Sequence, residues 1–283
     1  MKECTREPDS SSREKKSGSE GSREDIKVIL RGDDFGFCHS ANLAFKKSYK
    51  EGILTSAEIM VPPPWFEEAT EITKEIQELD IGVHLTLTNE WRSYPWGPIL
   101  PVPEVPSLVD DEGYFHPIVS SFLETDPSPK EVRRELEAQI ELALEKDLKV
   151  SHLSYHMGAA VSTSKFKDIV KKLAEKYNFS LSGMIGEGFW EGERIPIYGV
   201  SPSKKEEELA KIFEELFPGL WLIAVHPGLD TPEVRAMEDE NPEGLQNVAK
   251  HRSAITKALT SDKIKRIIEK REIKLVNYRD VEG

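Results

Sequence analysis

The chain is poor in cysteine. Of its 283 residues only Cys4 and Cys38 carry a thiol, and Cys4 sits in a polar tail. That pair cannot build a disulfide framework or a cysteine-rich zinc site, so any bound metal must rest on histidine and carboxylate. Long apolar runs are missing too, which excludes a membrane-spanning helix. Positive charge is in deficit: 38 Lys and Arg stand against 51 Asp and Glu, a formal net charge of −13. This speaks against a nucleic-acid or anionic-membrane surface, both of which need clustered cations, and suits a neutral or cationic partner. No glycine-rich phosphate loop follows the first apolar run. RGDDFG at 31–36 places acids where anion-binding backbone is needed.

Residues 1–25 are rich in Ser, Gly, Glu and Lys and have no apolar centre. They read as a disordered polar tail rather than a secretory signal. The default compartment is the cytoplasm; a near-terminal cysteine before such a tail also fits a lipid-anchored exported form. Residues 26–283 are expected to form one domain.

Strand and helix signals alternate through that domain. An apolar run, Val28-Ile29-Leu30, opens a strand expected over 26–32 and stops at the adjacent acids Asp33 and Asp34. Ser40 reads as the N-cap of a helix that closes near Gly52. Strands are expected over 54–61, 81–88, 149–155, 179–184, 220–225 and 273–278. The intervening helices include one with Phe66, Ala69, Ile72 and Ile76 on one stripe, and one with Val132, Leu136, Ile140 and Leu144. Ser128–Glu131 and Ser203–Glu206 read as capping boxes, and helical patterns fill 242–270. Strict alternation implies parallel strands with right-handed crossovers. The fold class is α/β: an irregular or incomplete TIM-like (β/α) barrel with about seven parallel strands. An open doubly wound sheet is the competing architecture. Two long segments, 89–126 and 186–200, are aromatic loops, and loops of that length in a compact domain are usually functional or disordered.

The residues able to do chemistry sit late on, or just past, separate strands. Asp33 and Asp34 follow the first, His84 lies in the third, His156 follows the fourth and His226 ends a later one. In a parallel barrel those ends open on one face. Neighbouring residues at a strand end point different ways, so one Asp can bind a metal while the other takes a proton. Set against this, the pair simply caps a helix or shapes a turn. His152 and His156 share a face whether the segment is strand or helix. Spacing leaves the choice between them open, and His156 is preferred as nearer the strand end. His39, His116 and His251 read as surface residues. One Asp and two His with open positions make a competent divalent-cation site, suited to hydrolysis of an amide or ester.

DDFG at 33–36, GILTSAEIMV at 52–61, GVHLTLT at 82–88, SLVDDEGYF at 107–115, HLSYH at 152–156 and VHPG at 225–228 occur in that order. Together with the C-terminal run from Arg252 through IKLVNYRD, they resemble the YdjC-like carbohydrate deacetylases, the chitooligosaccharide deacetylase type. The resemblance spans 26–280. It implies an irregular TIM-like barrel and metal-dependent removal of an N-acetyl group from an amino sugar. By position it implies Asp34, His84 and His156 as metal ligands, Asp33 as general base and His226 as general acid. The ion implied is zinc, magnesium or another divalent metal, and two imidazoles lean towards zinc or a late transition metal. Three positions depart from the pattern: Ser154 and Tyr155 stand where the family has Asp then Ser, and Gly158 stands where it has a further His. These changes lie near the implied substrate contacts, so diacetylchitobiose and a different acylated sugar both stay open as substrate. Trp91, Trp96 and Trp190 are candidates for stacking on sugar rings, or for packing their own loops. Nucleic acid is not expected as a partner, and self-association is left open. The competing functions are a sugar-binding protein with a vestigial site and a metal-dependent sugar isomerase or phosphoesterase on the same barrel.

Overall fold

The computed structural model describes residues 25–182, 197–242 and 244–281. The tail expected over 1–25, apart from Asp25, and Trp190 lie outside the described residues. The element order is β1 (Ile26–Phe35), α1 (His39–Lys50), β2 (Ser56–Ile59), α2 (Phe66–Glu75), β3 (Asp80–Leu85), α3 (Val119–Glu124), α4 (Pro129–Glu145), β4 (Val150–Tyr155), α5 (Ser164–Tyr177), β5 (Ser180–Leu181), α6 (Lys205–Glu215), β6 (Gly219–Val225), α7 (Pro232–Arg235), α8 (Val248–Leu259), α9 (Asp262–Lys270), β7 (Lys274–Val276) and α10 (Tyr278–Val281). No helix among the described residues is long and apolar enough to cross a membrane.

Every strand pairing is parallel, in the order β5-β4-β3-β2-β1-β6. β6 occupies one edge of β1 from Ile26 to Gly32. The other edge is shared: β7 takes Lys27–Ile29 and β2 takes over from Arg31. No pairing joins β5 to β6 among the described residues, so the architecture is an incomplete TIM-like barrel of seven strands. Val28, Ile29 and Leu30 are fully buried, as their apolar run predicts.

Register sets the interior in layers, because residues paired across parallel strands share a face. Glu58, Gly82 and His152 are partners across β2, β3 and β4, and His84 pairs with Ser154 one layer nearer the strands' C-terminal ends. Tyr278 of α10 closes the layer below. Its ring stacks on His152 at 3.5 Å, and its backbone N–H donates to Asp80 Oδ2 (3.1 Å).

Several local expectations need correction. Cys38, not Ser40, is the N-cap of α1, and the Ser40 hydroxyl donates instead to the Leu229 carbonyl at 2.8 Å. Neither predicted capping box forms. Glu131 accepts from the Ser107 N–H and hydroxyl (2.8 and 2.7 Å), and Glu206 accepts from Ser261, so tertiary donors outcompete the local cap. Leu144 is 36% exposed while Ala143 is buried. Four-residue steps overshoot a helical turn, and three of them drift by about 120°, which rotates Leu144 off the stripe. The helical region expected over 242–270 splits into α8 and α9 at Thr260-Ser261.

Candidate metal centre

β1 does not stop before its acids; it runs through them. The β1–β2 register shifts between Gly32 and Phe35, and Asp34 has φ +73°. In a regular strand, adjacent side chains face opposite sides. The bulge and the left-handed Asp34 leave both acids on the wall of one cavity, and each keeps its own partner, Arg31 for Asp33 and Arg252 for Asp34. A non-glycine residue in this region is a known cost of about 1–3 kcal/mol, found where a site requires it.

Asp33 is 6% exposed and held in a bidentate pair by Arg31, two residues earlier on the same strand face (2.7 and 2.9 Å). The Arg31 guanidinium also donates to the Ser182 hydroxyl. Asp34 accepts from Arg252 of α8 through Oδ2 (2.6 Å). Its other oxygen, Oδ1, is buried and has no hydrogen-bond partner among the described residues. Two imidazole nitrogens face Oδ1, His156 Nδ1 at 3.2 Å and His84 Nε2 at 3.6 Å, neither with hydrogen-bond geometry. One ligand atom from each of Asp34, His84 and His156 lies within 4.8 Å of the others, and all three residues are buried. An orphaned carboxylate oxygen facing two imidazole nitrogens is the donor set of a divalent cation, and the residues present fit one.

Each ligand candidate has a partner on its far side. His84 Nδ1 meets Ser154 Oγ at 2.8 Å, and His156 Nε2 meets Glu90 Oε2 at 2.9 Å. Such outer contacts orient metal-binding imidazoles. They also set charge. Burial pushes His84 down to about 4 against the pull of Asp33 and Asp34. Burial opposes charge on His156 too, but Glu90 and Asp34 outweigh it and raise it to about 10. Burial works against the Asp34 anion, yet Arg252 and His156 hold its carboxyl well below the usual range.

His152 lies one layer below, fully buried between Glu58 Oε1 (2.6 Å from Nε2) and Ser151 Oγ (2.7 Å from Nδ1). It is committed there, so of His152 on β4 and His156 just past its end only His156 reaches the Asp34 oxygen. Burial pushes Glu58 up, but His152 and Arg31 outweigh it and keep the carboxyl below its ordinary value.

The cavity measures ≈ 290 Å³, near the lower size of small-molecule sites. Its wall includes Asp33, Asp34, His84, His156, His226 and Arg252. His226 follows β6, edge-on to Tyr198 (ring centroids 5.2 Å apart), and burial lowers its pKa against the pull of Asp34 and Asp33. Trp91 is on the wall, with a buried indole N–H that has no partner among the described residues. Trp96 is not on it. Its indole donates to the Thr88 carbonyl (3.1 Å), and its buried ring packs edge-on against Phe37, Tyr94 and the His156 imidazole (centroids 6.0, 6.3 and 6.2 Å apart). His251 is not a plain surface residue: α8 presents it to the cavity, and its Nδ1 is buried. His116 Nε2 is buried as well; His39 is half-buried and bonded to Glu68. Sequence reasoning missed Arg31, Glu58 and Glu90. Arg31 was accessible through its i, i+2 spacing to Asp33 on a strand; Glu58 and Glu90 approach only through the fold.

The profile of the family described as "YdjC-like protein" matches residues 27–270. A protein named carbohydrate deacetylase from Brevibacillus brevis is 28% identical over 274 residues, covering 90% of this chain and all of that protein. Another of that name from Thermoanaerobacter pseudethanolicus is 29% identical, covering 89% of this chain and 97% of its own. A crystal structure from Enterococcus faecalis, provisionally labelled a cellobiose-phosphate cleavage protein, superposes with a TM-score of 0.72 at 27% identity, covering 90% of this chain and 98% of that one.

Proposed function

The chain belongs to the YdjC-like protein family, and from that premise we propose that it is a metal-dependent hydrolase that removes an N-acetyl group from an amino sugar or short oligosaccharide. The observation that carries this reading is Asp34 Oδ1, a buried carboxylate oxygen with two imidazole nitrogens where its hydrogen-bond donors would be. Relatives that bear the name carbohydrate deacetylase and match 90% and 89% of this chain support the reaction class.

Asp34, His84 and His156 would hold the ion. When bound, a divalent cation supplies Lewis acidity for an amide carbonyl and lowers the pKa of a water; two imidazoles and one carboxylate favour zinc or a late transition metal, with magnesium the hard-ligand alternative. Asp33 takes a proton from the attacking water. Its bidentate contact with Arg31 fixes the carboxylate plane, so the base arrives oriented. His226, on the same wall, gives a proton to the leaving amine as the C–N bond breaks, which releases acetate and the free amino sugar. Arg252 keeps Asp34 ionised and turned by one oxygen, leaving the other for the ion. Arg252 Nη1 and Trp91 Nε1 are buried donors on wall residues that lack partners among the described residues. They suit a ligand rich in oxygen acceptors, which a saccharide is.

The test is an acetate-release screen over acetylated saccharides with zinc, magnesium and manganese supplied in turn. Release from at least one amino sugar, lost in His84→Ala together with bound metal, is the expected result. No release from any acetylated sugar by metal-loaded protein would reject the reading.

A further inference from the structure

We propose that Glu58 is the carboxylate that orients His84 towards the metal position, acting through the hydroxyl of Ser154. This rests on the assignment of His84 as a ligand. It concerns a positioning residue on β2 that touches neither ion nor substrate.

The proton count carries it. Ser154 Oγ lies between His84 Nδ1 (2.8 Å) and Glu58 Oε2. A serine hydroxyl has one proton and an ionised carboxylate only accepts, so the Ser154 proton goes to Glu58. The Ser154 oxygen must then accept, and its donor is His84 Nδ1–H. This places the His84 proton on Nδ1 and leaves the Nε2 lone pair pointing at Asp34 Oδ1, 3.6 Å away. The other oxygen of Glu58 faces His152 (2.6 Å), so the carboxylate cannot turn away without losing a second buried contact. Glu58 reaches Ser154 from β2, across β3, in register through Glu58↔Gly82 and His84↔Ser154. Gly82 makes the room: a Cβ there would overlap Glu58 Oε2.

Glu58→Gln tests it. The amide keeps its oxygen for His152 and turns its NH2 to Ser154. The Ser154 hydroxyl keeps its proton but turns to donate it to a bare His84 Nδ1, so the ring proton sits on Nε2 and the tautomer reverses. Nitrogen chemical shifts of the His84 ring in chelated protein should show the Nδ1–H form in the parent chain and the Nε2–H form in Glu58→Gln. Zinc affinity, by competition with a chromophoric chelator, should fall about 10- to 100-fold. Adding Ser154→Asp to Glu58→Gln supplies a carboxylate directly at Nδ1 and should recover most of that affinity; a merely structural role for Glu58 would not be rescued this way. If Glu58→Gln does not fold, Ser154→Ala carries the test and should lose affinity by at least tenfold. Zinc affinity within twofold of the parent in Glu58→Gln or Ser154→Ala, an unchanged tautomer, or no rescue by Ser154→Asp would overturn the proposal. Parent protein that binds no zinc would instead reject the ligand assignment, and this proposal with it.

Discussion

Replacing Gly82 by alanine adds one methyl group and should be among the most damaging small changes available in this chain. A Cβ there would lie 2.7 Å from His152 Cδ2 and closer still to Glu58 Oε2 and His152 Nε2. Neither neighbour can retreat. Glu58 is held by His152 and Ser154, and His152 is held by Ser151 and by the Tyr278 ring stacked at 3.5 Å; both are fully buried. Overpacking a close-packed core costs about 1–3 kcal/mol, and leaving a buried polar group without its hydrogen bond about 1–3 kcal/mol more. Together the expected loss is about 4 kcal/mol, a fall in Tm of roughly 8–16 °C for a domain of this size. Thermal and urea denaturation of chelated protein measure it. Gly199→Ala, where an added Cβ meets nothing within 4 Å, should leave Tm unchanged and serves as the control. A Gly82→Ala protein within about 1 kcal/mol of the parent would show that the Glu58–His152 layer is not rigid, and would refute this packing account.

Asp33→Asn should keep one bound ion and lose about 10²- to 10⁴-fold in acetate release, the usual worth of a general base; metal content beside turnover checks both halves, and unimpaired release would remove Asp33 from that role. His226 is lowered below its ordinary value of 6.5 by burial. As a proton donor it works only while protonated, so kcat/KM should fall as pH rises through a value under 6.5, and His226→Asn should abolish that limb. His84 has its folded pKa lowered from 6.5 to about 4. In chelated protein its contribution to stability is therefore full above pH 6.5 and lost as pH falls towards 4, by about 3 kcal/mol in total. Urea unfolding of the parent and of His84→Gln at pH 7 and pH 4 should show the parent losing more on acidification; equal losses would remove His84 as the cause.

How far the sequence reached depended on what each signal measures. The apolar run at 28–30 and the parallel alternation of elements are local, and the barrel follows them closely. His84 and the acid pair were legible as candidates because period-two alternation and strand ends are properties of short segments; which acid faces the histidines came only from the family resemblance. His156 over His152 was not settled by spacing, since both share a face. Depth separates them: His152 pairs one layer lower with Glu58, which lies 94 residues away in sequence, while His156 faces Asp34. The orientation of Asp34 was invisible because a strand pattern assumes alternation, and the left-handed φ breaks it. Capping boxes failed at Glu131 and Glu206 for a related reason, that a tertiary donor can outbid the local backbone. His251 looked like surface because helix α8 is amphipathic only in part, and the cavity it faces is made by other elements.

The central claim is that Asp34, His84 and His156 hold one divalent ion on which amide hydrolysis depends. Its most direct measurement is acetate release from acetylated glucosamine oligomers by protein stripped with a strong chelator and then titrated with a divalent metal. The account expects no release from stripped protein and recovery that saturates at one equivalent of ion. Undiminished release from thoroughly stripped protein would contradict it.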